Sequence, residues 1–276
     1  MNWRLKALAF RALEFPGGGA AHYLLQRYAT RNWPRPAKTL DALVNSARRV
    51  LEEYDAHVGG KPNSVLEVGT GRDMAVPLAL RRFGVQRVVT VDQTKLAKLD
   101  LVRHAAKHIL AGEYVPKSWG DLERYGVYYH APSEVSDRNT PVDCSCSNEV
   151  LEHVPADQLP KLLANLRTLT RGLTVHSIDY GDHYARGDAG LSRLHFLLYT
   201  DEQWKKYNPP RQYVNRLRHS DYLKLFREAG FEIVKETKVL ADEFPSWIEV
   251  NVAEKFKRYA RDDLMAIRGL IVARPA

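Results

Sequence analysis

The sequence predicts an α/β fold built on a mostly parallel sheet, and three observations carry the expectation. An apolar, β-branched run over residues 65–68 stops at Gly69-Thr70-Gly71, and a helical pattern of Met74, Val76, Leu78 and Leu80 follows. Strand-like and helix-like stretches then alternate, near residues 64–69, 73–83, 87–92 and 94–111. Such alternation means parallel strands joined by crossover helices. Finally, Asp92 ends the second strand 21 residues after Gly71. A strand-end acid at that distance from a glycine turn reaches the ribose of a nucleotide-type ligand.

The other elements follow in order. Residues 39–56 form an amphipathic helix, with Leu40, Leu43, Val44, Ala47, Val50, Leu51 and Tyr54 at helical spacing and Gly59-Gly60 as its stop. Further strands are expected near 126–131, 141–146 and 172–178, with a helix near 156–170. A helix over 219–229 leads through Gly230 into a strand at 231–234. A helical stretch over 246–259 precedes a last strand at 267–274. Residues 179–218 break the alternation. They are rich in Asp, His, Tyr and Arg, contain Pro209-Pro210, and are too long for a simple connection. They are expected to cover the site. Residues 1–38 form a basic appendage of two short helices broken at Pro16-Gly17-Gly18-Gly19. The chain therefore divides into an appendage, 1–38, and a domain, 39–276, with an insert at 179–218.

Composition narrows the class. The 276 residues are 45% hydrophobic, enough for a sizeable core, yet no apolar stretch approaches the roughly 18 residues of a membrane span. Arg4, Lys6, Arg11 and Glu14 interrupt any signal-peptide core. The only cysteines, Cys144 and Cys146, share one side of a strand, where a disulfide between them is unfavourable. Core thiols in a reducing cytoplasm are expected. Of the net charge of +8, residues 1–38 hold +6, seven Lys/Arg against Glu14. Trp3, Leu5, Leu8, Phe10, Leu13 and Phe15 interleave with these charges. Two readings stay open: peripheral contact with the inner face of an anionic membrane, or a helix packed on the domain.

The Glu67-x-Gly69-x-Gly71 arrangement resembles the first motif of the class I S-adenosylmethionine (SAM) methyltransferases, with Asp73 where that family often has Gly. The resemblance covers about residues 40–275. It implies a Rossmann-like fold with an antiparallel C-terminal strand and SAM as cofactor, bound by Glu67, Gly69, Gly71 and Asp92. At the end of the third strand it places Ser133 where a short polar residue meets the adenine. The stretch Ser147-Asn148-Glu149-Val150-Leu151-Glu152-His153-Val154 resembles the family's fourth motif and adds Asn148 to the cofactor set. In a helical turn Glu149, Glu152 and His153 fall on one face. This Glu-x-x-Glu-His pattern is similar to that of metal-dependent O-methyltransferases, including small-RNA 2′-O-methyltransferases, in which a further His follows. His195, in His195-Phe196-Leu197-Leu198-Tyr199-Thr200, matches it. The resemblance thus implies Mg2+ or another divalent metal on Glu149, Glu152, His153 and His195. The same stretch also looks like metal-free members, so both readings stay open.

The chemistry of the mouth points to an oxygen nucleophile. Methyl transfer from a sulfonium is an in-line displacement, governed by proximity and orientation. An alcohol must in addition lose its proton, to a base or with a metal's help. Asp182 and His183, past the fifth strand, offer such a base, with His153 beside them; His176 lies inside the strand and is structural. Arg193, Arg211, Arg216 and Arg218 suit phosphate or carboxylate, and Tyr213 suits a sugar face. The stretch from Ile178 to Phe231 looks like bacterial methyltransferases of surface-polysaccharide pathways. The expected acceptor is a hydroxyl of a glycan or glycoconjugate, anionic in some part. The alternatives are RNA 2′-O-methylation, which lacks a visible RNA-binding domain, and a small-molecule acceptor. A non-catalytic scaffold would not need Glu67, Gly69, Gly71 and Asp92 intact.

Overall fold

A computed structural model of the chain describes residues 2–188 and 190–276; Met1 and Ala189, within the expected appendage and insert, lie outside the described residues. The chain opens with helix α1 (Trp3–Ala12), capped by the Asn2 side chain, and α2 (Gly18–Leu24), which runs into a π-helical turn. Helix α3 (Ala37–His57) buries the predicted stripe of Leu40, Val44, Ala47, Val50, Leu51 and Tyr54. Next come β1 (Ser64–Val68), α4 (Ala75–Arg82), β2 (Arg87–Val91), α5 (Leu99–Ile109), α6 (Trp119–Arg124) and β3 (Val127–His130). They are followed by β4 (Val142–Asn148), α7 (Leu159–Leu169), β5 (Thr170–Asp179), α8 (Asp201–Lys205), α9 (His219–Glu228), β6 (Phe231–Leu240) and β7 (Ala266–Pro275).

The strands form one seven-stranded sheet in the order β3-β2-β1-β4-β5-β7-β6. Only β7 runs against the others, pairing antiparallel with both β5 and β6. Side chains alternate across the sheet. Val65 and Val88 face a core shared with α3, α4 and α5, while Leu66 and Val89 face a second core under α7 and α9. Cys144 and Cys146 share the first core as buried free thiols. Among the described residues no helix is long and apolar enough to cross a membrane.

Three expectations need correction. The helix expected from residue 94 begins only at Leu99, because the chain before it is tied down elsewhere: Leu96 and Ala97 N–H donate to Tyr129 Oη, and Lys98 N–H to the Arg72 carbonyl. The stretch 246–259 is not one helix. It splits into Ser246–Glu249 and a 3-10 turn at Glu254–Phe256, since Ala253 N–H donates across to the Leu197 carbonyl at 2.8 Å. The insert is no simple cover either. Its Leu194, Phe196, Leu197 and Trp204 build a third core with Trp3, Ala7, Phe244, Ile248 and Phe256. Helix α1 is part of that core, its Trp3 ring 4.7 Å from His195 and 4.8 Å from Tyr207, while Leu5 and Leu8 face outward.

Candidate active site

The strand order reverses direction at β1, which pairs with both β2 and β4, so a crevice opens outside the carboxyl ends of these strands. The glycine turn lines it. Gly69 has φ +77, and a Cβ there would lie 2.6 Å from Val150 Cγ2, so no other residue fits. Met74, at the start of α4, also takes a left-handed φ of +54, although it is not glycine.

Three acids stand around the turn. Glu67 is buried and accepts a hydrogen bond from Thr90 at 3.1 Å; burial pushes its pKa up to about 8. Asp92 is pushed up to about 7, again by burial, and its Oδ2 is buried with no hydrogen-bond partner. Asp73, the departure from the motif, is buried too. Burial raises its pKa although Arg35 donates to its Oδ1 at 2.7 Å, and its Oδ2 has no partner. The crevice holds two connected cavities. One, about 530 Å³, is walled by Gly69, Asp92, Gln93, Leu96, Ser133 and Val135. The other, about 520 Å³, adds Glu67, Gly71, Asn148 and Tyr213. All six residues expected to bind the cofactor therefore line one continuous space. Its size suits a small-molecule ligand, and the partnerless Asp92 oxygen suits one that brings hydroxyl donors.

After β4 the chain turns sharply. Glu149 takes a left-handed φ of +53, a costly conformation for a side-chain-bearing residue. Its carboxylate pairs with Arg186 and Arg268, each at 3.0 Å. Glu152 is buried with neither oxygen hydrogen-bonded, and burial raises its pKa well above the ordinary range. His153 Nδ1 donates to the Tyr213 carbonyl at 2.7 Å, which leaves Nε2 with a free lone pair. Desolvation by the surrounding walls lowers the His153 pKa, with His183 adding to the effect, so the ring is neutral at pH 7. His153 lines both cavities. Its ring lies 5.1 Å from that of His183, and ligand atoms of Glu152, His153 and His183 fall within 4.8 Å of one another.

Several expected site residues lie elsewhere. Glu149 and His195 do not join Glu152 and His153. Glu149 is held by its two arginines, and His195 donates from Nδ1 to Asp182 at 3.0 Å beneath Trp3. Asp182 does not serve His183 as a base partner; it is fully buried between His195 and the Tyr184 N–H. The acid beside His183 is Asp179, at 3.6 Å. Burial works against ionisation of Asp179, but His183, Arg186 and Arg193 outweigh it and hold its pKa well below the usual carboxylate range. Arg193 is spent on that carboxylate. Arg216 donates to the Phe196 and Tyr199 carbonyls at 3.0 and 2.7 Å and pairs with Asp201. Arg218 is wholly buried and donates to the carbonyls of Tyr180, Asp263, Leu264 and Ala266. These arginines build the insert and cannot also hold a substrate. Of the expected substrate residues, Tyr213 and Arg211 line the cavity. Arg35 lines the crevice unannounced by the sequence, and Arg72, directly after Gly71, lies in the adjoining cleft.

The geometry defines a class I methyltransferase. Residues 24–236 match the methyltransferase domain family, so the chain belongs to that family and is a SAM-dependent methyltransferase. Solved structures with a similar fold include magnesium protoporphyrin IX methyltransferase from Synechocystis PCC 6803 with bound S-adenosylhomocysteine (SAH), at 14% identity and TM-score 0.48 over 87% of this chain and 83% of that one. Another is the 1,6-didemethyltoxoflavin-N1-methyltransferase of Burkholderia thailandensis, at 18% identity and TM-score 0.48 over 100% of this chain and 91% of that one. Comparison with curated protein sequences returns no match.

Proposed function

We propose that this methyltransferase acts on a hydroxyl oxygen, with His153 as the general base. The carrying observation is the neutral His153, its Nε2 free, in the wall of the cofactor crevice beside the partnerless Glu152. Asp92 receives the ribose hydroxyls of SAM, the turn at Gly69 and Gly71 lets the cofactor approach the backbone, Ser133 borders the adenine end, and Asn148 and Glu67 the methionine end. The acceptor oxygen attacks the methyl carbon in line: an O–C bond forms, the C–S bond breaks, and the hydroxyl proton passes to His153 Nε2. We take the acceptor to be a sugar hydroxyl on a glycan or glycoconjugate, as the sequence resemblance suggests.

A metal-assisted version has one observation in its favour, the convergence of Glu152, His153 and His183. Two imidazoles and one carboxylate suit a transition ion better than Mg2+, which prefers an all-oxygen shell. Such an ion would lower the pKa of the acceptor hydroxyl. The outward stripe of Leu5 and Leu8, flanked by Arg4 and Arg11 on a segment of net charge +6, supports peripheral contact with an anionic bilayer. Sedimentation with phosphatidylglycerol vesicles but not phosphatidylcholine vesicles, lost in Leu5→Ser/Leu8→Ser, is the expected result; equal recovery with both removes the contact.

The test is transfer of labelled methyl from SAM to sugar hydroxyls, with and without EDTA. Ether-linked label on a sugar is expected, and label only on nitrogen, carbon or sulfur overturns the reading. Full turnover in excess EDTA removes the metal version and leaves the His153 version standing. Because the His153 pKa is lowered and only the neutral ring accepts a proton, the acid limb of kcat should lie below pH 6.5, the ordinary value.

A further inference from the structure

We propose that the cleft between the N-terminal segment and the glycine turn is the acceptor site, and that Arg72 and Arg211 hold a phosphate or carboxylate of an anionic acceptor there. The proposal rests on the methyl-transfer reading of the adjoining crevice. The cleft, about 730 Å³, is walled by Gly19, His22, Gln26 and Trp33 of the N-terminal segment and by Arg72 and Arg211 from the domain. Gly71, Leu96 and Arg211 also line the cofactor crevice, so the two spaces are continuous. An acceptor seated in the cleft thus lies next to the methyl donor.

The charges of the wall are unbalanced. It contains three arginines and one acid, Glu14. Arg35 is already paired with Asp73. Arg72 is half-buried, its guanidinium lying 4.9 Å from the centre of the Tyr23 ring, and among the described residues it has no carboxylate partner. Arg211 donates only to the Leu13 carbonyl, at 3.1 Å, and likewise has no carboxylate. The arginines of the insert, Arg186, Arg193 and Arg216, each have one. Arg211 is exposed, but Arg72 is kept partly out of water without a counter-charge and so carries a desolvation penalty that a bound anion removes. Its fork also matches phosphate and carboxylate.

Two further observations fit. Burial, Arg72 and Arg211 together lower the pKa of His22, the mark of a positive field inside the cleft. At Gly19 a Cβ would lie 2.7 Å from Arg211 Nη1, so the glycine lets the guanidinium lie close against α2. Arg72 does not belong to the wall of the cofactor crevice, so the cofactor does not account for it. Trp33 contributes a half-buried aromatic face of the kind that packs on sugars.

The test is titration calorimetry on the full-length protein saturated with SAH, at low salt, with glucose 6-phosphate, glucuronate and methyl glucoside. The two anionic sugars should bind, and methyl glucoside should not over the same range. The stronger of the two tells phosphate from carboxylate. Arg72→Gln, outside the wall of the cofactor crevice, should weaken the anion tenfold or more with SAH affinity held within twofold, and Arg211→Gln should weaken the anion likewise. Absence of anion binding, equal binding of methyl glucoside, or unchanged anion affinity in both variants overturns the proposal. If the variants lose SAH as well, the unaltered protein decides: affinity must fall between about 50 and about 500 mM salt, where the screening length shrinks severalfold, and salt-independent binding overturns it. Turnover is not read, so a failure of hydroxyl methylation leaves this result intact and distinguishable.

Discussion

The glycine-turn region and the insert both carry charged side chains but treat most of them in opposite ways. Around the turn, Asp73 and Asp92 each keep one buried oxygen with no partner, and Arg72 has no counter-ion. In the insert, Asp179 and Asp182 are saturated by protein donors, and Arg216 and Arg218 are filled with protein carbonyls. Buried polar groups are normally satisfied, and an unsatisfied one calls for an explanation. The contrast teaches that a wealth of Arg, His and Asp does not mark a ligand site; partnerless carboxylate oxygens gathered around one cavity are the better sign. Glu152, on the β4 turn, belongs with the first group by this criterion.

The largest expected effect is at the boundary between the two regions. His153→Ala should lower kcat by about 10²–10⁴-fold, the usual contribution of a general base, with SAM affinity unchanged in a binding assay. Near-normal turnover would place His153 with the saturated groups. Next, Arg218→Met should destabilise the fold by roughly 3–5 kcal/mol, because it removes the buried donor shared by the carbonyls of Tyr180, Asp263, Leu264 and Ala266. Thermal unfolding measures it, and a loss of SAM affinity without a loss of stability would break the distinction drawn here.

The acids of the turn predict a pH dependence. Glu67 and Asp92 hold their protons to about pH 8 and about pH 7 in the folded protein, against ordinary values of 4.5 and 3.8. The folded state binds protons that the unfolded chain has released. Their contribution is therefore full below the ordinary values and is lost as pH rises through the folded ones. Without cofactor, stability should fall between about pH 4 and 8, and Glu67→Gln should flatten that fall by several kcal/mol, on the order of 5 at most. Denaturant titrations at several pH values check it. The smallest effect is expected at Leu8, which faces out from α1. Leu8→Ser should change stability by no more than about 0.5 kcal/mol, whereas Ala7→Leu on the packed side should cost about 1–3 kcal/mol.

Much of the cofactor seat was legible because its signal is local. A β-branched run, two glycines and an acid 21 residues on must form strand, turn and strand end wherever the chain folds. The base site was legible in part. The sequence marks the segment with Glu149, Glu152 and His153, but its spacing alone implies a helical face. In the structure the chain passes from β4 through a left-handed Glu149, which sends that carboxylate to Arg186 and Arg268 and leaves Glu152 and His153 together. Which guanidiniums of the insert find protein carbonyls, as Arg216 and Arg218 do, is not legible in composition.

By itself, then, the sequence determined the alternation that makes a parallel sheet, the turn that seats the cofactor, the acid that ends β2 and the stripe that buries α3. Each depends on neighbours a few residues apart, where backbone preference and side-chain period decide. The tertiary structure alone decided which charges are spent and which stay free. Arg35 meets Asp73 from 38 residues away, Arg211 meets Leu13 across 198, and His153 takes its tautomer from Tyr213 across 60. Such pairings are set by burial and by which chains pack together, because desolvation makes a partner compulsory only once distant segments have closed over the group.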